Sequence, residues 1–114
     1  MDRPDWVTNA TEWQQDCLEI VNCTQDLLSG RCGVIESARV LWRLSLRVRA
    51  QRDPDFVTFC AIDSESDALP IGPERENWAR EALKREDAKI SSLEARWRPR
   101  AITAAGSLLK KYSR

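Results

Sequence analysis

Apolar residues recur every three or four positions through most of this chain, which is the spacing of one face of an α-helix. The first such stretch runs from Asn9 to Leu28. Asn9 and Glu12 resemble an N-terminal cap pair, and Gly30 supplies a permissive C-terminal stop. We therefore predict a first helix between these signals.

A second helix is predicted from about Gly33 to Ala50. Its apolar residues cover most of its circumference, which is typical of a helix in the middle of a bundle. The remaining polar strip is a ridge of Glu36, Arg39, Arg43 and Arg47.

The segment Asp53-Pro54-Asp55 reads as a helix start, with an aspartate cap, a proline at the first helical position and an acid in the first turn. Phe56 and Phe59 then share one face of a short helix. A strand over FVTFCAI is the competing interpretation, given its β-branched and aromatic content. Helix is favoured because no second strand candidate exists to pair with it.

A long helical pattern follows a predicted loop at residues 63–73. Its apolar stripe passes Pro99 in phase, so either one helix kinks there or two nearly collinear helices meet. The sequence thus predicts an all-α fold: a compact helical bundle of four to five helices with a kinked long C-terminal helix, in a single domain spanning residues 1–114.

Two acids, Asp87 and Glu94, interrupt the apolar stripe of the long helix. A buried carboxylate needs a partner. We expect structural ion pairs between these acids and the arginine ridge of Arg39, Arg43 and Arg47.

The chain contains no histidine and has four cysteines, of which no two form a C-x-x-C pair. This set matches no common zinc pattern and lacks the usual base for activating a serine or cysteine nucleophile. We therefore expect reduced cysteines, no metal, no cofactor and no catalytic residues. An enzyme using Asp63, Glu65 or Asp67 is the third-ranked alternative.

The acidic segment from Asp63 to Glu74 has the twelve-residue length of a calcium-binding EF-hand loop. Its sixth position, which needs glycine, is Ala68, and two prolines constrain the rest. Backbone capping by Asp63 and Ser64 is the favoured interpretation. Glu65 and Asp67 are the acids least needed for capping.

The net charge of zero conceals four blocks with charges of −5, +5, −6 and +6. The last block is a candidate anion patch, made of Arg96, Arg98, Arg100, Lys110, Lys111 and Arg114. A solvated basic helix end is the alternative, because it suits the helix dipole. Among the five tryptophans, Trp6 and Trp78 lie near element ends and are candidate partner-binding anchors together with Glu65 and Asp67.

The pattern DPDFxxFxxIDSExDxLPxG at residues 53–72, followed by Trp78 and a long helix, resembles a group of small bacterial helical proteins of unassigned function. The resemblance covers roughly residues 34–112. It implies the fold and a bacterial setting, and it implies no reaction. The chain departs from the pattern at Ala79-Arg80, where such proteins tend to begin the helix with Ser-Pro.

The sequence therefore predicts a small cytoplasmic protein that binds another protein, in the manner of an immunity or antitoxin-like inhibitor. The amino terminus lacks an apolar stretch, and no segment is long enough to span a membrane. The alternative is a nucleic-acid-binding or regulatory module that uses the basic C-terminal block. A homodimer is possible if the apolar surface of the first helix is not satisfied within one chain.

Overall fold

The first helix begins at its predicted cap. In the computed structural model, which describes residues 3–113, helix α1 spans Ala10–Leu28. The Asn9 side chain accepts a hydrogen bond from the Glu12 amide at 3.0 Å. Beyond the helix, Gly30 adopts a φ of +81°, a left-handed conformation in which glycine has no Cβ penalty.

Helix α2 spans Val34–Arg47, and helix α3 spans Pro54–Glu65. The Asp53 side chain caps α3 by accepting a hydrogen bond from the Asp55 amide at 2.9 Å. The segment FVTFCAI lies within α3, so it forms helix as predicted, and Phe56 and Phe59 are buried. The predicted loop begins too early, because α3 continues for three residues beyond Ile62.

Helix α4 spans Arg80–Tyr112 and continues through Pro99 as one helix, which decides between the two interpretations of that proline. A bend of its axis at Pro99 stays a prediction. A 3₁₀ turn over Pro73–Asn77, which the sequence pattern did not indicate, precedes α4. The all-α bundle with a long C-terminal helix is confirmed.

The core lies where the four helices meet, and α2 contacts the other three. The largest side chains that are fully buried are Phe56, Phe59, Ile20, Leu27, Ile35, Leu41, Leu44, Ile62 and Leu108. Residues 80–89 of α4 contribute no side chain to this core, whereas Ile90 packs against it and Leu93 is the first buried residue of the helix. Over residues 3–113, no helix combines the length and the apolar character that crossing a membrane requires.

The predicted pairing of Asp87 and Glu94 with the arginine ridge is wrong. Asp87 pairs with Arg75, and the Glu94 carboxylate lies at the start of α2, beyond the ridge. The ridge arginines take other partners: Arg47 pairs with Glu12 and Asp16, and Arg39 with Asp63. Arg43, also predicted as a pair member, is exposed and has no ion pair within residues 3–113.

Glu94 instead caps α2 from another helix. Its two carboxylate oxygens accept hydrogen bonds from the amides of Val34 at 2.8 Å and Ile35 at 3.1 Å. These are among the helix-start donors that have no partner within the helix, and negative charge there is favoured by the helix dipole. A Cβ at Gly33 would lie 2.9 Å from Glu94 Oε1, so any larger residue at that position would make the carboxylate shift.

We predict that Gly33→Ala lowers the free energy of unfolding by about 1–2 kcal/mol, because the added Cβ displaces the Glu94 carboxylate from both amides. The matched control is Gly106→Ala in α4, where a Cβ meets nothing within 4 Å. That change should raise stability by about 0.5–1 kcal/mol, because alanine favours the helix. Urea unfolding measures both. A Gly33→Ala variant as stable as the wild type would contradict the tertiary cap.

Candidate partner-binding surface

The segment between α3 and α4, residues 66–79, is here named the α3–α4 connection. Arg39 of α2 fixes its first half by donating hydrogen bonds from Nη2 to the carbonyl oxygens of Ser66 at 2.9 Å and Leu69 at 3.4 Å. Arg39 Nε also lies 3.8 Å from Asp63 Oδ1. The arginine of the middle helix therefore holds the end of α3 and the following turn together.

Arg75 fixes the second half. It donates to the Pro70 carbonyl at 2.8 Å and to the two carboxylate oxygens of Asp87 at 2.8 and 3.1 Å. The hydrogen bonds from Arg75 hold the pKa of Asp87 below its usual range. Leu69 and Ile71 pack against the core between these two anchors. The connection is thus fastened to α2, to the core and to α4.

The outer surface of the connection is acidic and carries an aromatic residue. Asp67 and Glu76 are exposed and have no ion-pair partner among the residues that the structure describes. Glu74 is also exposed, and hydrogen bonds from backbone amides, Gly72 among them, lower its pKa. Trp78 follows the 3₁₀ turn and is 37% exposed. We name Asp67, Glu74, Glu76 and Trp78 the acidic Trp78 surface.

Two of the four predicted partner-binding residues, Asp67 and Trp78, belong to this surface. Glu65 does not, because its carboxylate pairs with Arg96 and accepts a hydrogen bond from Trp97 Nε1 at 2.8 Å. Glu65 therefore joins the end of α3 to α4, and its availability to a partner, inferred from the sequence, is not supported.

Trp6, the fourth predicted partner residue, lies elsewhere. The Arg49 guanidinium lies 4.7 Å from the centre of its ring, within range of a cation–π interaction. Trp6 also lines a cleft of about 240 Å³, in which Arg47 is held by Asp16 at 2.8 Å and Glu12 at 2.6 Å. The charged groups of this cleft already form ion pairs with one another.

Three of the six bases in the predicted anion patch pair with the chain's own acids. Arg96 pairs with Glu65, Arg98 Nη2 lies 3.7 Å from Glu94 Oε2, and Lys111 lies 2.9 Å from both Asp53 and Asp55.

The other bases of that block contribute little to a continuous patch. Arg100 stacks at 4.7 Å on the Trp97 ring. Lys110 is exposed, and Arg114 lies outside the described residues. The five described bases of the block are exposed, and two of them, Arg96 and Lys111, pair with acids in α3 or at its start.

The predicted capping role of Asp63 and Ser64 is wrong, because both residues lie inside α3 and Asp63 pairs with Arg39. Since Asp63 and Glu65 already contact basic or donor side chains, they are not arranged as calcium ligands. Within residues 3–113 no three acidic, cysteine or histidine side chains are grouped to hold a metal ion. All four cysteines are free thiols, and burial raises the pKa of Cys23 to about 11.

Sequence reasoning missed Arg75 as the residue that anchors the connection. Arg75 lies in the 3₁₀ turn, where no helical stripe directs attention to it. A usable signal was Asp87: a carboxylate on an apolar stripe needs a partner, and the nearest preceding base that is not on the same helix is Arg75.

Compared with known proteins, the chain matches no protein-family model, no curated protein and no solved structure.

We predict that Arg75→Gln returns the pKa of Asp87 to its ordinary range, about 4. In the wild type the lowered pKa means that Asp87 contributes stability above the unfolded-state pKa, and that this contribution is lost as the pH falls through the folded-state value. Carboxyl NMR titration measures the shift. Arg80→Gln, an exposed arginine at the start of α4, is the control and should leave Asp87 unchanged. If Asp87 has the same pKa in Arg75→Gln as in Arg80→Gln, Arg75 does not anchor the connection to Asp87.

Proposed function

We propose that this chain is a small cytoplasmic protein that binds another protein through the acidic Trp78 surface, as an immunity or antitoxin-like inhibitor does. The observation that carries the proposal is an exposed tryptophan on an acidic connection that three separate parts of the fold hold in place. We also propose that the chain is related to the small bacterial helical proteins of unassigned function that its sequence resembles.

The rigidity of the connection supports this function. Interfaces obtain much of their free energy from a few anchors, among which tryptophan is enriched. An anchor that is already ordered loses less conformational freedom on binding than one on a loose loop. The two arginine anchors, Arg39 and Arg75, supply that order on either side of the buried Pro70.

The charge of the surface indicates its partner. Asp67, Glu74 and Glu76 are three acids, while the one base in the same segment, Arg75, is occupied by Asp87. A surface of this sign attracts a basic patch and speeds encounter with it. A target whose active cleft is basic fits this surface, and covering such a cleft would inhibit it.

The nucleic-acid alternative has weaker support. Binding to phosphates needs bases that are free to replace counterions. Arg96, Arg98 and Lys111 instead neutralise acids of their own chain. An enzymatic function is likewise not proposed, because Asp63 and Glu65 are engaged in structural contacts.

We predict that a tagged chain retains one protein at a one-to-one ratio from a lysate of its native organism, and that Trp78→Ala weakens this binding about tenfold or more. Val57→Ala is the matched control, because Val57 is an exposed apolar residue on α3. Quantitative mass spectrometry and titration calorimetry measure the binding. The proposal fails if no stoichiometric partner is found, or if Trp78→Ala binds the partner as tightly as Val57→Ala does.

A further inference from the structure

One face of helix α1 carries no charge. Its centre is a row of residues at alternating spacings of four and three, the spacing of a helix–helix seam. We name the row the α1 seam: Gln14, Leu18, Val21, Gln25 and Leu28. The neighbouring positions Thr11, Gln15 and Asn22 are also uncharged. In a chain with 32% charged residues, such a face on a nineteen-residue surface helix is distinctive.

The acids of α1 are segregated on another side of the helix. Glu12 and Asp16 both pair with Arg47 of α2, and Asp26 pairs with Arg31 at 3.2 Å. At 100° per residue, these acids and Glu19 fall within one sector that does not overlap the seam. Helix α1 is therefore a charged helix whose charges all lie away from the seam.

The seam is partly apolar and borders a groove. Leu18 is 57% exposed and Leu28 is 38% exposed. Between the seam and the end of α4 lies a groove of about 480 Å³, whose walls include Trp13, Cys17 and Tyr112. Of these two leucines Leu18 lines the groove, and an exposed apolar side chain beside a groove and away from charge is typical of an interface centre.

We propose that the α1 seam binds the α1 seam of a second copy of this chain, forming a symmetric homodimer. In such a dimer the same patch faces itself across a two-fold axis, so residues near the axis meet their own copies. A charged residue there would repel its copy. The amides of Gln14 and Gln25 avoid this cost, because each has both donors and an acceptor and can pair with an identical group.

Charge also separates this surface from the proposed partner surface. A foreign partner is selected and oriented largely by complementary charges, which the seam lacks and the acidic Trp78 surface has. The seam is on α1, whereas Asp67 and Trp78 lie on the α3–α4 connection. The dimer therefore does not depend on the proposed function.

The test is sedimentation velocity on the full chain, from about 5 μM to about 500 μM, a range that brackets a modest interface. Leu18→Glu and Gln25→Glu each add one negative charge to the seam of every copy, so two like charges would face each other in the dimer. Leu46→Glu is the matched control, because Leu46 is 52% exposed on the outer face of α2. Circular dichroism checks that every variant is folded.

We expect the wild type and Leu46→Glu to dimerise with equal affinity, and each seam variant to weaken the dimer about tenfold or more. Gln25→Glu replaces one exposed polar side chain by another, so we expect this variant to fold. It therefore tests the dimer even if Leu18→Glu does not fold. A wild type that stays monomeric throughout the concentration range would overturn the proposal. So would a dimer that both seam variants leave intact, or one that Leu46→Glu alone disrupts.

Discussion

The contact between Glu94 and the start of α2 fixes where the long helix enters the bundle. Leu93, the first buried residue of α4, immediately precedes it. Because the carboxylate accepts hydrogen bonds from both Val34 and Ile35, it holds this turn of α4 against the start of α2. The buried residues that follow, from Ala101 to Tyr112, then pack in the core. With no Cβ, Gly33 leaves room for the carboxylate.

A second acid two helical turns earlier extends the same arrangement. Asp87 accepts two hydrogen bonds from Arg75, so the first part of α4 is tied to the α3–α4 connection. Arg39 ties the other half of the connection to α2. The acidic Trp78 surface is therefore ordered by contacts that lie behind it. On this surface Asp67 is exposed and Trp78 is 37% exposed.

Local signals in the sequence were sufficient to predict the helices, but they were not sufficient to predict the contacts between the helices. Asn9, Asp53 and Gly30 act within a few residues of themselves, so their caps and stops could be predicted. Asp87 and Glu94 both have partners, although Asp87 is exposed. The partner of Glu94 could not be predicted, because an arginine ridge and a helix start each satisfy a carboxylate, and only the packing of the helices selects between them.

A double-mutant cycle shows whether Glu94 and Gly33 act as one unit at the start of α2. Unfolding free energies are measured for the wild type, Gly33→Ala, Glu94→Ala and the double variant. The account predicts a coupling of about 1 kcal/mol or more, because the alanine at 33 has nothing to displace once the carboxylate is absent. Strictly additive effects of the two changes would contradict it.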